Sequence, residues 1–232
     1  MEYPEIFGFI NAIIAQATDT GMMNWLTEKY NAGGLFMHPI LACLILGLAF
    51  SIERFWNLTR ANINTKNFLV GVRKAMDDGG IDGAKDYCAN TRGPIASVFH
   101  AGLLRADEGI ESAEKAIVAY GGIEMSFLER GLIWISTFIS LAPMLGFTGT
   151  VQGMIEAFDA IKEANQISPS IVAGGIAIAL LTTLFGLVVA MLLQIFYNYF
   201  VSRIDKIVIE MEESSVELVD ALVTYKEKNK NR

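Results

Sequence analysis

Acidic and basic side chains are missing from three long stretches of this 232-residue chain. No Asp, Glu, Lys or Arg occurs in Tyr30–Ile52 (23 residues, interrupted only by His38), Gly131–Ile155 (25 residues) or Ala164–Ser202 (39 residues). Charged residues make up 19% of the whole and apolar residues 53%, where a soluble domain carries about 25% charged. Crossing the hydrocarbon of a bilayer as a helix takes ~20 mostly apolar residues. Each stretch is long enough, which excludes an ordinary cytosolic enzyme. Cysteine is scarce too. Cys43 lies in the first apolar run and Cys88 in a polar segment, which excludes a disulfide scaffold. The two histidines, His38 and His100, form no cluster with cysteine at metal-ligand spacing. No glycine-rich phosphate loop and no nucleophile–base signal is present. The expectation is no metal, no cofactor and no enzymatic activity. A net charge of −7 gives no reason to expect nucleic acid as a partner.

The charges that are present orient the chain. Lys29 is the only basic residue before the first apolar run, while Arg54, Arg60, Lys66, Arg73 and Lys74 follow it. Positive flanks stay cytoplasmic, so the N-terminus is expected outside (periplasmic) and the C-terminus inside. The basic tail, Arg203, Lys206, Lys226, Lys228, Lys230 and Arg232, agrees. The expected fold is an all-α membrane protein with three transmembrane helices and long cytoplasmic helical extensions. Its parts are an N-terminal periplasmic or interfacial segment (1–33), helix one (34–56), a cytoplasmic helical loop (57–130), helix two (131–158), a periplasmic link (159–170), helix three (171–202) and a C-terminal helix (203–232).

Ala15-Gln16-Ala17 resembles a signal-peptidase site, but the leading charges are Glu2 and Glu5, where a signal peptide needs a positive start. Ile6, Ile10, Ile13 and Ala17 share one helical face, which fits a short interfacial helix better; a poorly ordered tail is the plainer alternative. In the loop, Phe68, Val72 and Met76 follow helical spacing up to Gly79-Gly80. Gly93-Pro94 opens another helix, with Val98, Leu103 and Leu104 expected inside. From Ile110 the pattern runs on into span two with no strong breaker, predicting one unbroken helix. Pro169 marks the start of helix three. Beyond the membrane, Ile204, Val208, Met211, Ser215, Leu218, Leu222 and Tyr225 form a heptad seam. A neighbouring subunit, the loop helices, or an amphipathic helix lying on its own chain would each account for it.

The spans contain hydroxyls in place of ionisable groups. Ser136, Ser140, Pro143, Phe147 and Thr150 lie on one stripe of span two, and span three carries Thr182 and Thr183. A proton pump holds an ionisable group near the bilayer midplane. None is here, so the titrating group of any proton path must come from a partner. A lone buried Ser or Thr is ordinarily helix glue bonded to the i−4 carbonyl; several on one face of two neighbouring helices point to a polar lumen. Gly146, Gly149 and Gly153 in span two, with Gly175, Ala179 and Gly186 in span three, have the small-residue spacing of close helix packing. Pro143 removes a backbone hydrogen bond and can kink its helix. Arg54 and Arg203 sit where spans one and three meet the cytoplasm and are expected to touch lipid head groups.

Three segments carry a family resemblance. Leu128-Glu129-Arg130-Gly131-Leu132, Ala142-Pro143-Met144-Leu145-Gly146-Phe147 and Gly149-Thr150-Val151-Gln152-Gly153-Met154 resemble the signature helix of the MotA/TolQ/ExbB proton-channel family. Ile176–Leu187 (IAIALLTTLFGL) with Tyr197-Asn198, and Arg92-Gly93-Pro94 with Ala101-Gly102-Leu103, are similar too. The three-span layout matches the ExbB and TolQ branch. The resemblance implies a ring-like homo-oligomer, a pentamer, in the bacterial inner membrane. It would surround two copies of a single-span ExbD-like partner whose aspartate takes the proton, and work with a TonB-like energy transducer. On matching positions Thr150 and Thr183 would line the pore, shaped by Pro143, with Thr182, Ser140 and Phe147 beside them. One departure stands out. Many members carry a glutamate five positions before the second pore threonine, where this chain has Ile178.

Overall fold

The computed structural model describes residues 21–61, 64–164 and 169–230. The expectations for residues 6–17 therefore lie outside the described residues. All regular structure among the described residues is helical: α1 (Gly21–Ala32), α2 (Met37–Ala61), α3 (Thr65–Asn90), α4 (Pro94–Leu104), a 3-10 turn (Ala106–Glu108), α5 (Ile110–Glu129), α6 (Leu132–Ala164) and α7 (Pro169–Lys230). Among the described residues three helical stretches are long and apolar enough to cross a membrane, in Met37–Ala61, Ile110–Glu163 and Val172–Glu227. The chain divides into two compact units. The first takes residues up to Leu48 together with Thr137–Gln194; the second takes Ala49–Ser136 and Ile195–Arg232.

In the first unit α2 begins at Met37, three residues after the predicted start at Gly34. Pro39 stands in its first turn, where a missing N–H breaks no bond. Ile40 and Cys43 pack with Ala142, Val189 and Leu193, flanked by Leu44, Leu48, Phe138 and Phe185. At Gly47 an added Cβ would meet the Leu193 methyls at 2.5 and 2.8 Å, so a side chain there would require Leu193 to shift.

The second unit holds a core of the water-soluble kind. Phe68, Val72, Met76, Cys88, Val98, Phe99, Leu103 and Ile117 are buried together with Met211, Leu218 and Leu222 of α7. Each side chain of this size contributes about 1.5–3 kcal/mol on burial. The α7 seam is thus covered by the loop helices, one of the two partners the spacing allowed. Its register is Ile204, Ile207, Met211, Leu218 and Leu222, with Ser214 inside; Val208, Ser215 and Tyr225 are only partly covered. Asn64 caps α3 by accepting the Asn67 N–H at 3.2 Å. Lys226 Nζ donates to the Ala106 carbonyl at 2.7 Å and ties the end of α7 to the 3-10 turn.

Three expectations for the loop change. The helix that pauses at Gly79-Gly80 resumes, because Gly80 takes φ +68° and ψ −158° inside Thr65–Asn90, a kink that a side chain would oppose. Leu104 is 55% exposed, on the far side of α4 from Leu103. The helix predicted to run unbroken from Ile110 ends at Glu129. Arg130 is extended, Gly131 takes φ +95°, and α6 starts at Leu132. A single glycine inside an apolar run reads as tolerable in sequence; here its left-handed φ interrupts the helix.

Candidate functional site

Span two and span three meet in the first unit through small residues. A Cβ on Gly146 would sit 2.8 Å from the Thr182 carbonyl oxygen and 3.1 Å from Thr183 Cα. At Gly153 it would sit 3.1 Å from both Ala179 N and the Gly175 carbonyl oxygen, and at Gly186 2.6 Å from the Ala142 carbonyl oxygen. At Gly175 it would run into Ala157, and at Gly149 into the Thr182 side chain. Ala179 is 2% exposed. All six small residues singled out in the sequence therefore lie on the α6–α7 contact, where backbone rests on backbone as membrane helices favour.

That close approach brings two threonines together. The Thr150 and Thr183 hydroxyls are hydrogen-bonded to each other. Thr150 Oγ1 also lies within donating distance of the Gly146 carbonyl at 3.2 Å and of the Ala179 carbonyl at 3.1 Å, and Thr183 Oγ1 reaches Gly146 O at 3.2 Å. Both residues are half-buried. Each hydroxyl has one proton and two lone pairs. One of the two protons bridges the pair and the other goes to a carbonyl, leaving lone pairs unspent. The two carbonyls were not singled out from sequence. The available signal is Gly146 itself, four residues before Thr150, whose missing side chain lets Thr183 reach its oxygen.

The other residues expected beside them separate. Phe147 is 67% exposed, and Ser140 is exposed and Pro143 half-buried. Thr182 is only 1% exposed. Its hydroxyl donates to Ala179 O at 2.8 Å and its side chain fills the space over Gly149. Expected on a pore wall, it is a packing residue in this protomer, because the helix turn that aims Thr183 outward aims its neighbour into the contact. Ile178 is half-buried, with its Cγ2 3.8 Å from where a Cβ of Gly34 would stand, so the position of the family's usual glutamate faces the start of α2.

In the second unit Arg54 corrects an expectation. Its side chain is 9% exposed and does not lie free for lipid phosphate. Nη1 donates to the Leu128 carbonyl at 3.4 Å and Nη2 to Glu53 Oε1 at 3.2 Å; Nε is buried without a partner. The guanidinium closes the C-terminal end of α5, where the helix dipole favours a cation. Gly131 stands directly against it: an added Cβ would be 3.0 Å from Arg54 Nε. Arg203 is half-buried within α7.

A sequence profile described as the MotA/TolQ/ExbB proton channel family matches residues 90–213. A biopolymer transport protein ExbB homolog of Methanothermobacter thermautotrophicus is 31% identical over 199 residues, covering 85% of this chain and 69% of that protein. The biopolymer transport protein ExbB of Salmonella typhimurium is 34% identical over 91 residues (39% of this chain, 36% of that one). The Tol-Pal system protein TolQ of Haemophilus influenzae is 37% identical over 84 residues (36% and 37%). The matched residues include the whole α6–α7 contact and both threonines, and on this evidence the chain belongs to the MotA/TolQ/ExbB proton channel family.

Proposed function

We propose that the chain is the ring-forming subunit of an ExbB-like proton-driven motor in the bacterial inner membrane. Five copies, each with its N-terminus periplasmic and its C-terminus cytoplasmic, surround two single-span ExbD-like helices. The motor passes work to a TonB-like transducer for outer-membrane transport. The observation that carries this reading is the Thr150–Thr183 hydroxyl pair inside two runs, Gly131–Ile155 and Ala164–Ser202, that hold no carboxylate, lysine or arginine. A hydroxyl cannot carry a proton cycle at neutral pH. It can solvate a group that does.

The pair distinguishes the two states of a partner carboxyl. A protonated carboxyl donates, and the lone pairs of Thr150 and Thr183 accept without rearrangement. A carboxylate needs a donor, so one hydroxyl must turn its proton away from Gly146 O or Ala179 O. That exchange is set against about 0.5–1.5 kcal/mol for the bond given up. In a dry site the same carboxylate also resists charging, which raises its pKa. Protonation from the periplasm neutralises it and lets its helix step along the apolar wall around Phe147; release to the cytoplasm restores the charge and holds the helix in the next position. Each proton moving through 100 mV supplies ~2.3 kcal/mol, so several are needed per unit of substantial work.

A TolQ-like role in envelope maintenance is the second reading, favoured by the 37% identity to a TolQ protein over 84 residues; a gliding or secretion motor subunit is a further alternative. The test is proton flux and motor output in Thr150→Val and Thr183→Val, which keep the shape and remove the hydroxyl. The reading expects both to assemble and lose flux. Full output from the assembled double variant would discard it.

A further inference from the structure

Glycines inside a helix cost up to about 1 kcal/mol each relative to alanine, and most of those in this chain have a visible reason. Gly121 and Gly122 of α5 do not. A Cβ on Gly122 would meet nothing within 4 Å, and one on Gly121 would meet only the Met211 methyl at an ordinary 3.8 Å. The pair lies on the wall of a groove of ≈ 420 Å³ between α5 and the C-terminal part of α7. Val118 and Val216 line the same groove and stand 71% and 63% exposed. The groove's ionisable lining is of one sign: Glu114, Glu212 and Asp220, with no lysine or arginine. None of these carboxylates is in a salt bridge among the described residues, although Arg73, Lys85, Lys115 and Lys206 of the same unit all are.

We propose that this groove holds the basic cytoplasmic flank of the single-span partner. An apolar floor open down to backbone, edged by unpaired carboxylates, suits a segment that lays the methylene stems of Lys or Arg along the floor and places their heads on the rim. The charge rule for membrane insertion supplies such a segment: a single-span helix carries its excess of Lys and Arg next to the span on the cytoplasmic side. A second copy of this chain on the groove is the competing occupant, and its capture in place of the partner is one of the outcomes of the test. The inference rests on the orientation and the single-span partner of the proposed function, and adds the surface that holds the partner outside the bilayer.

The experiment places the photo-crosslinker p-benzoylphenylalanine at Val118, at Val216 and, separately, at Phe147 in the full-length chain in its membrane, and sequences the captured peptides. The expected result is that Val118 and Val216 capture a Lys/Arg-rich segment adjoining the span of the same protein that Phe147 captures. Neutralising the rim with E114Q, E212Q and D220N together lowers the groove capture roughly tenfold, three exposed pairs at their usual strength, and leaves capture at Phe147 unchanged. If Phe147 captures the partner while the groove probes capture only lipid, another copy of this chain or nothing, the groove assignment is overturned and the pore reading stands. A groove yield indifferent to the triple variant overturns it equally. Capture of a basic flank at the groove with none at Phe147 upholds the groove and overturns the pore face. Failure of all three probes to capture a single-span protein removes both.

Discussion

The hydroxyls of Thr150 and Thr183 bond to each other across the α6–α7 contact, and both reach the carbonyl of Gly146. Two side chains that share a bond and an acceptor act as one unit. Thr150→Val and Thr183→Val are each expected to lower proton flux about tenfold, the worth of one well-placed hydrogen bond. The double variant adds little to either single, and flux measured in all four proteins gives a coupling term of about 1 kcal/mol. Effects that simply add would mean the hydroxyls serve separate purposes.

Gly174 and Gly175 are neighbours with opposite surroundings. A Cβ at Gly174 meets nothing within 4 Å, while at Gly175 it runs into Ala157 and comes within 2.9 Å of the Gly153 carbonyl oxygen. Gly175→Ala is expected to destabilise by about 1–3 kcal/mol, the usual cost of forcing packed elements apart. Gly174→Ala, at an open helical position, should be neutral or stabilising by up to about 1 kcal/mol. Tm of the detergent-solubilised protein separates them, at roughly 2–4 °C per kcal/mol for a chain of this size.

Gly131→Ala meets two obstacles, a φ of +95° and the Arg54 guanidinium 3.0 Å from the new methyl. Its expected cost is about 1–3 kcal/mol. Arg54→Ala in the same chain removes the steric part and leaves the backbone part, so the double variant loses less than the sum of the singles. Thermal unfolding of the four proteins shows it. Strict additivity would place the guanidinium elsewhere.

Burial pushes the Cys88 thiol up to about 12 from an ordinary 9.0. The native protein should therefore resist iodoacetamide at pH 8 and react once unfolded, since the thiolate is the nucleophile. The unfolded chain gives up this proton at lower pH than the folded one. Stability from this group is complete below pH 9 and falls as the pH rises toward 12. Mass spectrometry of alkylated peptides reads the first effect; rapid native labelling would show Cys88 to be accessible.

The parts legible in sequence were those encoded by one strong local signal. Charge-free runs marked the spans, Pro94 and Pro169 marked helix starts, and small residues at repeated spacing marked the α6–α7 contact. The rest depended on geometry that spacing does not carry. Gly131 looks no different in sequence from Gly153, yet one breaks a helix and the other packs inside one. Thr182 and Thr183 are chemically identical; a 100° step of helix sends one into the contact and the other to the half-exposed edge. Arg54 has the sequence position of a lipid anchor, and only the fold reveals the α5 carbonyl it serves. The heptad reading of α7 chose Val208 and Ser215 where burial favours Ile207 and Ser214, the drift expected between a 3.5 and a 3.6 period.

The central claim is that this chain supplies hydroxyls and packing while another polypeptide supplies the titrating acid. Proton flux into vesicles under an imposed potential tests it most directly, comparing vesicles that hold this chain alone with vesicles that hold it with the single-span protein co-purified from its own membrane. The account predicts background flux for the chain alone, flux with the partner present, and a return to background when the partner's intramembrane carboxylate is replaced by its amide. Equal flux from the chain alone would contradict it.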